Sequence, residues 1–152
     1  MLLLSFNISN ERYVIETNKV IEIVPMVLLK KIPGAGKVVA GMLNYHGQAV
    51  PVIDINALCN SDVVKKSLTS RIILLQYKEE RILGLLAERV TETLHIDDSE
   101  FNDIGIKVSD YDFLGKVAEH DDSLLQLINI ENLLSESLEG ALFSAMPQSG
   151  TE

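Results

Sequence analysis

A single cysteine, no tryptophan and an aromatic content of 5% set the first limits on this 152-residue chain. One thiol, Cys59, excludes an intramolecular disulfide. With so few rings, the core has to be built from Val, Ile and Leu, which favours strands wherever β-branched residues alternate or run together. No segment reaches the roughly 20 apolar residues that a membrane-spanning helix needs. The opening MLLLSFNISN has no basic region ahead of a long apolar stretch, so a signal peptide is not expected. Lys and Arg number 13 against 22 Asp and Glu, a formal net charge of −9, and no basic cluster is available for nucleic acid or an anionic membrane. The expectation is a soluble, cytoplasmic protein.

What the chain does contain is a repeat. LLLSFNISNERYVIE (2–16) resembles ILLQYKEERILGLL (73–86): an apolar strand, a polar turn ending in Glu-Arg, then a second apolar strand. Val20 and Glu22 match Val90 and Glu92 in the phrases that follow. Later, Gly41 and His46 match Gly115 and His120, and Ile53, Asp54, Ile55 and Leu58 match Ile128, Asn129, Ile130 and Leu133. The order is kept throughout. The inference is two β-units of about 60–75 residues each, joined by the polar CNSDVVKKSLTS (59–70).

Strands are expected near 2–8, 11–16, 20–25, 38–45 and 48–55, and again near 71–78, 81–87, 89–96, 112–119 and 123–128. Short strands with tight turns favour a small barrel in each half, because closure removes exposed edges. Neither half holds much core alone, so the two should share apolar surface. The expected boundaries are 1–60 for barrel one, 68–130 for barrel two, a helix over 130–143 carrying Leu133, Leu134, Leu138 and Leu142, and a flexible tail over 145–152.

Candidate chemistry is sparse. His46 precedes Gly47 in a phrase suited to a tight hairpin turn, and it has no metal-ligand partner at i+3 or i+4. Cys59 lacks the flanking motif of a nucleophile and is expected to serve as a small buried hydrophobe. Asp97, Asp98, Glu100, Asp103, Asp110 and Asp112 do not follow calcium-loop spacing and suit a solvated acidic loop. KKIPGAGK (30–37) lacks the order of a phosphate-binding loop and suits a turn. No catalytic residue, metal or cofactor is expected. The apolar run Met26, Val27, Leu28, Leu29 is either inter-barrel core or a patch for a partner.

These features, in order, resemble the CheW family of bacterial chemotaxis coupling proteins. The residues that carry the resemblance are ERYVIETNKVIEIV (11–24), IPGAGKVVAGMLNYHGQAVPVIDI (32–55), RILGLLAERV (81–90) and LLQLINIENLL (124–134). The family has a Val-x-Glu-Ile phrase, a Pro-containing turn, and a Gly-x-x-Asn-x-Arg-Gly hairpin leading to Val-Pro-Val-x-Asp. The resemblance implies two small SH3-like five-stranded barrels packed together with a short C-terminal helix. It implies a non-catalytic adaptor with two partners: the regulatory domain of a chemotaxis-type histidine kinase and the cytoplasmic tip of a methyl-accepting chemoreceptor. With neither a kinase nor a receiver domain here, it implies a stand-alone coupler, with membrane-associated receptor arrays as its expected location.

On the same ground, Val20, Glu22, His46, Leu83 and Gly84 are expected to face the receptor. Met26, Val27, Leu28, Leu29 and Lys30 are the expected kinase-facing segment, chosen because their apolar run needs a reason. Two positions depart from the family. His46 stands where the family has Arg, and Glu88 where it has Asp. Histidine near pH 7 is mostly neutral, whereas Arg is always charged and grips carboxylates with two bonds. That departure keeps open an accessory or inhibitory protein that binds kinase without receptor. A small-ligand β-barrel or enzyme using Cys59 or His46 is the further alternative.

Overall fold

The structure is a computed structural model that describes residues 1–65, 67–105 and 111–144. Its strands are β1 (Leu2–Ile8), β2 (Glu11–Glu16), β3 (Val20–Pro25), β4 (Val39–Tyr45), β5 (Gln48–Asp54), β6 (Arg71–Tyr77), β7 (Arg81–His95), β8 (Leu114–His120) and β9 (Ser123–Ile128). Two helices accompany them, α1 (Ile55–Leu58) and α2 (Glu136–Ser144). Three hairpins turn on two residues that both have positive φ: Ser9 and Asn10, His46 and Gly47, Asp121 and Asp122. That backbone matches the twist of the strands it joins.

The strands form two five-stranded SH3-like barrels, and the chain is mainly β with a short C-terminal helix, as expected. Barrel A contains β1, β2, β9, β8 and the second part of β7; barrel B contains β3, β6, β5, β4 and the first part of β7. The two are related residue by residue. β5 lies parallel to β7 with Val52 opposite Gly84, as β9 lies parallel to β2 with Leu127 opposite Val14. Each barrel closes on a short bridge, Lys30 with Met42 in B and Asn102 with Val117 in A. Gly41 makes the first bridge possible: at its φ of 149° a Cβ would lie 2.7 Å from the Lys30 carbonyl oxygen.

Three apolar clusters follow. Leu43, Val50, Val52, Ile72, Leu74 and Leu86 fill barrel B. Leu3, Val14, Ile96, Phe101, Ala118 and Leu125 fill barrel A. The largest cluster lies between them and draws Leu4, Phe6, Ile15, Ile53, Ile73, Leu83, Leu85 and Ile128 from both repeats. Strands β1, β6 and β7 therefore bury both faces over much of their length, which is why they are continuous runs of Leu and Ile rather than alternating sequences.

Three expectations need correction. The barrels are not the halves 1–60 and 68–130, because each takes its first hairpin from the opposite repeat. The segments 81–87 and 89–96 are not two strands. β7 is continuous from Arg81 to His95 and passes from one barrel to the other beside Arg89, whose φ is 51°. The chain passes between barrels at Arg89 in the second repeat and at the 3-10 turn Thr17–Lys19 in the first, so the hairpins cross over. Finally, the 130–143 helix begins later: Ile130–Asn132 form a 3-10 turn and α2 starts at Glu136. The expected tail over 145–152 lies outside the described residues.

Candidate functional site

Strand β3 borders barrel B at its seam with β4, where the barrel is closed by the Lys30–Met42 bridge rather than by a full ladder. Two of its exposed residues are aliphatic: Ile21 and Ile23 are each 41% exposed. Beyond the strand, Val27 is 41% and Leu28 93% exposed. The matching stretch of β7 in barrel A has Thr91 and Thr93 in place of the isoleucines, and Asp97 and Asp98 follow it. The same backbone thus carries a polar surface in one barrel and an aliphatic one in the other. The barrel does not require the aliphatic version, which points to a covering partner.

Between the two isoleucines, Glu22 is held across the seam. Tyr45 Oη, from the end of β4, donates to Glu22 Oε1 at 2.6 Å. That bond to a carboxylate raises the Tyr45 hydroxyl above its ordinary pKa. The Tyr45 ring also packs on the core of barrel B, and its centroid lies 4.4 Å from that of His46. His46 is exposed at the hairpin tip with a φ of 52°, and the Gly47 amide donates to Asn44 Oδ1 at 2.9 Å to fasten the turn. Tyr45 therefore touches both Glu22 and His46.

The repeat supplies a comparison. Glu92, equivalent to Glu22, is paired with Arg12 at 3.0 Å, and Arg12 also donates to Ser5 Oγ and Asn7 Oδ1. The register of β2 and β7 puts Ile82 in barrel B where barrel A has Arg12. Among the described residues, no cation lies within ion-pair distance of Glu22.

The expected receptor-facing residues thus divide. Glu22 and His46 are exposed and linked through Tyr45, and Val20 is half-buried against the inter-barrel core. Leu83 and Gly84 are inside the protein; Leu83 has no exposed surface, so neither presents a side chain to a partner. The expected kinase-facing run divides too. Met26 and Leu29 pack into barrel B, not between the barrels, while Val27 and Leu28 point out. The main chain of Lys30 is taken up by the bridge to Met42, and its side chain is exposed. Ile21, Ile23 and Tyr45 escaped the sequence reading. The signal was there in the repeat, as Ile against Thr at two matched positions.

The other polar features are structural. Asp54 is buried and caps α1: its Oδ1 accepts from the Ala57 amide at 3.0 Å and its Oδ2 from the Val64 amide at 2.8 Å. Glu88 accepts from the Lys65 amide at 2.8 Å and from Asn56 Nδ2 at 3.3 Å, so the carboxylates of Asp54 and Glu88 together pin the segment after α1. Cys59 is half-buried, and burial pushes its thiol up to about 11, which suits no nucleophile. His120 sits 3.4 Å from Asp121. In the acidic segment, Asp97 and Glu100 cap one turn reciprocally, while Asp110 lies outside the described residues. No described helix is long and apolar enough to cross a membrane.

Comparison with known proteins agrees with this arrangement. A family model described as a CheW-like domain matches residues 2–138. The chain is similar to the chemotaxis protein CheW of Helicobacter pylori, at 22% identity over 88% of this chain and 81% of that protein. It is also similar to the chemotaxis protein CheW of Rhizobium meliloti, at 24% identity over 91% of each. Among solved structures it is similar to the scaffolding protein TtCheW from Thermoanaerobacter tengcongensis, with a TM-score of 0.78 and 27% identity over 88% of this chain and 87% of that one.

Proposed function

The chain belongs to the CheW-like domain family, and on that footing we propose that it is a non-catalytic adaptor coupling chemoreceptors to a chemotaxis-type histidine kinase. The observation that carries this reading is the aliphatic band Ile21, Ile23, Val27 and Leu28, exposed on barrel B where the matching band of barrel A is polar. Such a surface suits a protein partner, not a small molecule. Its mechanism is the burial of apolar area with a few polar contacts to set register. Individual contacts of this size are weak, and repeated copies in an assembly strengthen them through effective concentration.

Within this reading, Val20, Glu22 and His46 belong to the receptor-facing surface. Val27, Leu28 and Lys30 form the kinase-facing one, with Met26 and Leu29 anchoring that segment from inside the barrel. The place of action is the cytoplasm, at membrane-associated receptor assemblies. A pull-down of the tagged protein from its own cell, with partners identified by mass spectrometry, tests the coupler. Recovery of both a histidine kinase and a methyl-accepting receptor supports it. Kinase without receptor favours the accessory or inhibitory role that His46 raises, and neither partner removes the adaptor reading.

A further inference from the structure

We propose that α2 is a releasable brace between the two barrels, which docks on the β6–β7 hairpin through side chains alone and opens as a unit while both barrels stay folded. It follows β9 of barrel A and reaches the hairpin of barrel B, so that when closed it ties one barrel to the other.

Three observations support it. The first is the weakness of the helix by itself. α2 is nine residues, ESLEGALFS, with Gly140 in its interior. Helices shorter than about 12–15 residues are marginal alone in water, and an interior glycine weakens them further. Docking therefore maintains the helix: Leu142 is buried, and Leu138 and Phe143 pack on the cluster between the barrels. The Phe143 ring stacks on Tyr77 at 5.9 Å, and the Arg81 guanidinium lies 4.8 Å from it on the hairpin.

The second is the manner of attachment. Among the described residues, no main-chain hydrogen bond joins Glu136–Ser144 to a strand. The matching connection after β5 is built differently. There Asp54 accepts from the Ala57 and Val64 amides and Glu88 from the Lys65 amide, so the backbone itself is pinned. The third is a loose polar contact inside the docked face. Glu139 approaches Lys78 at 3.4 Å and faces the Tyr77 hydroxyl. Tyr77, with Lys78 and Arg81, holds the Glu139 carboxyl below the ordinary glutamate range although burial opposes this. Yet Tyr77 Oη and Glu139 Oε2 are both buried without a well-formed hydrogen bond to any described residue. Arg81 is also shared with Glu79 at 3.5 Å. Opening returns both polar groups to water, which offsets part of the apolar burial given up. The brace thus opens more readily than its apolar contacts alone would allow.

The test is hydrogen exchange, followed by mass spectrometry, on the full chain. Residues 136–144 should exchange about 100-fold faster than residues 83–86 of β7, at a rate that urea below the unfolding transition barely changes. Phe143→Ala should speed exchange in α2 about 10-fold and Glu139→Gln about 3-fold, with β7 exchange and the urea midpoint nearly unmoved. Circular dichroism checks that each variant is folded. Equal protection of α2 and β7, lost together in both variants, overturns the inference, because α2 is then part of one cooperative unit. Exchange of α2 at the rate of an unstructured peptide overturns it as well, since the helix is then never docked. So does α2 exchange that Phe143→Ala leaves unchanged, which would mean that the hairpin does not hold it.

Discussion

Gly84 lies opposite Val52 where β7 runs parallel to β5, so close that a Cβ there would sit 2.9 Å from Val52 Cγ2 and 3.3 Å from Ile72 Cγ2. Both neighbours are fully buried β-branched side chains with little room to move. Gly84→Ala is expected to cost about 1–3 kcal/mol by overpacking, read as a lower urea midpoint. Receptor affinity per folded molecule should stay unchanged, because the position has no outward side chain. A variant of unaltered stability that loses binding would restore a contact role to Gly84.

Asp54 gives a pH prediction. Burial holds its carboxyl above the ordinary aspartate range, with the Ala57 and Val64 amides offsetting part of the effect. On acidification it therefore takes up its proton earlier in the folded protein than in the unfolded chain. Its ionisation term favours the folded state increasingly as pH falls through the window from the raised value down to the ordinary one, and fades above it. Asp54→Ala strands two amides and should cost about 1–3 kcal/mol, with faster hydrogen exchange at Val64. The deficit should be larger at pH 4 than at pH 7. A deficit that shrinks in acid would mean the carboxyl is held low instead.

Cys59 should be inert. With its thiol near 11, about one part in a thousand is thiolate at pH 8. Reaction with a thiol reagent should be slow in native protein and fast in urea, and Cys59→Ala should keep partner binding. Rapid native labelling would revive the enzyme alternative.

Cutting the chain between α1 and β6 tests the strand exchange. Each barrel takes its first hairpin from the opposite repeat, so 1–66 and 67–152 should each lack cooperative unfolding alone and recover it as a one-to-one complex. A half that unfolds cooperatively as a monomer would show that its hairpin can close on its own repeat.

The exchange also explains what could be read from the sequence. The strands at 2–8, 11–16, 20–25 and 123–128 were legible because apolar runs end at pairs such as Ser9-Asn10 and Asp121-Asp122, which turn readily. The repeat was legible because its residues keep their order. Which hairpin joins which barrel was not, since matched repeats offer matched partners and the passages between barrels at Thr17–Lys19 and at Arg89 decide between them. An arginine gives no signal that it will take a positive φ. Leu83 was misplaced for a related reason: a strand buried on both faces loses the alternation that separates inside from outside. Glu22 and His46 were legible through the family resemblance, whereas Tyr45 needed the fold to bring the end of β4 to β3.

The crossing of β7 also sets an order of completion for a chain made from its N-terminal end. Barrel B has all its strands once residues up to Ala87 have emerged. The β1–β2 hairpin, made earlier, has its first strand-pairing partner outside itself only in residues 88–95 and its last in β9. Leu3 and Val14, which face Ile96, Phe101, Ala118 and Leu125 in the core of barrel A, therefore spend the longest interval without their final neighbours. Of the nine described strands, the first in order belongs to the last barrel to close, and the aggregation-prone period falls on that strand.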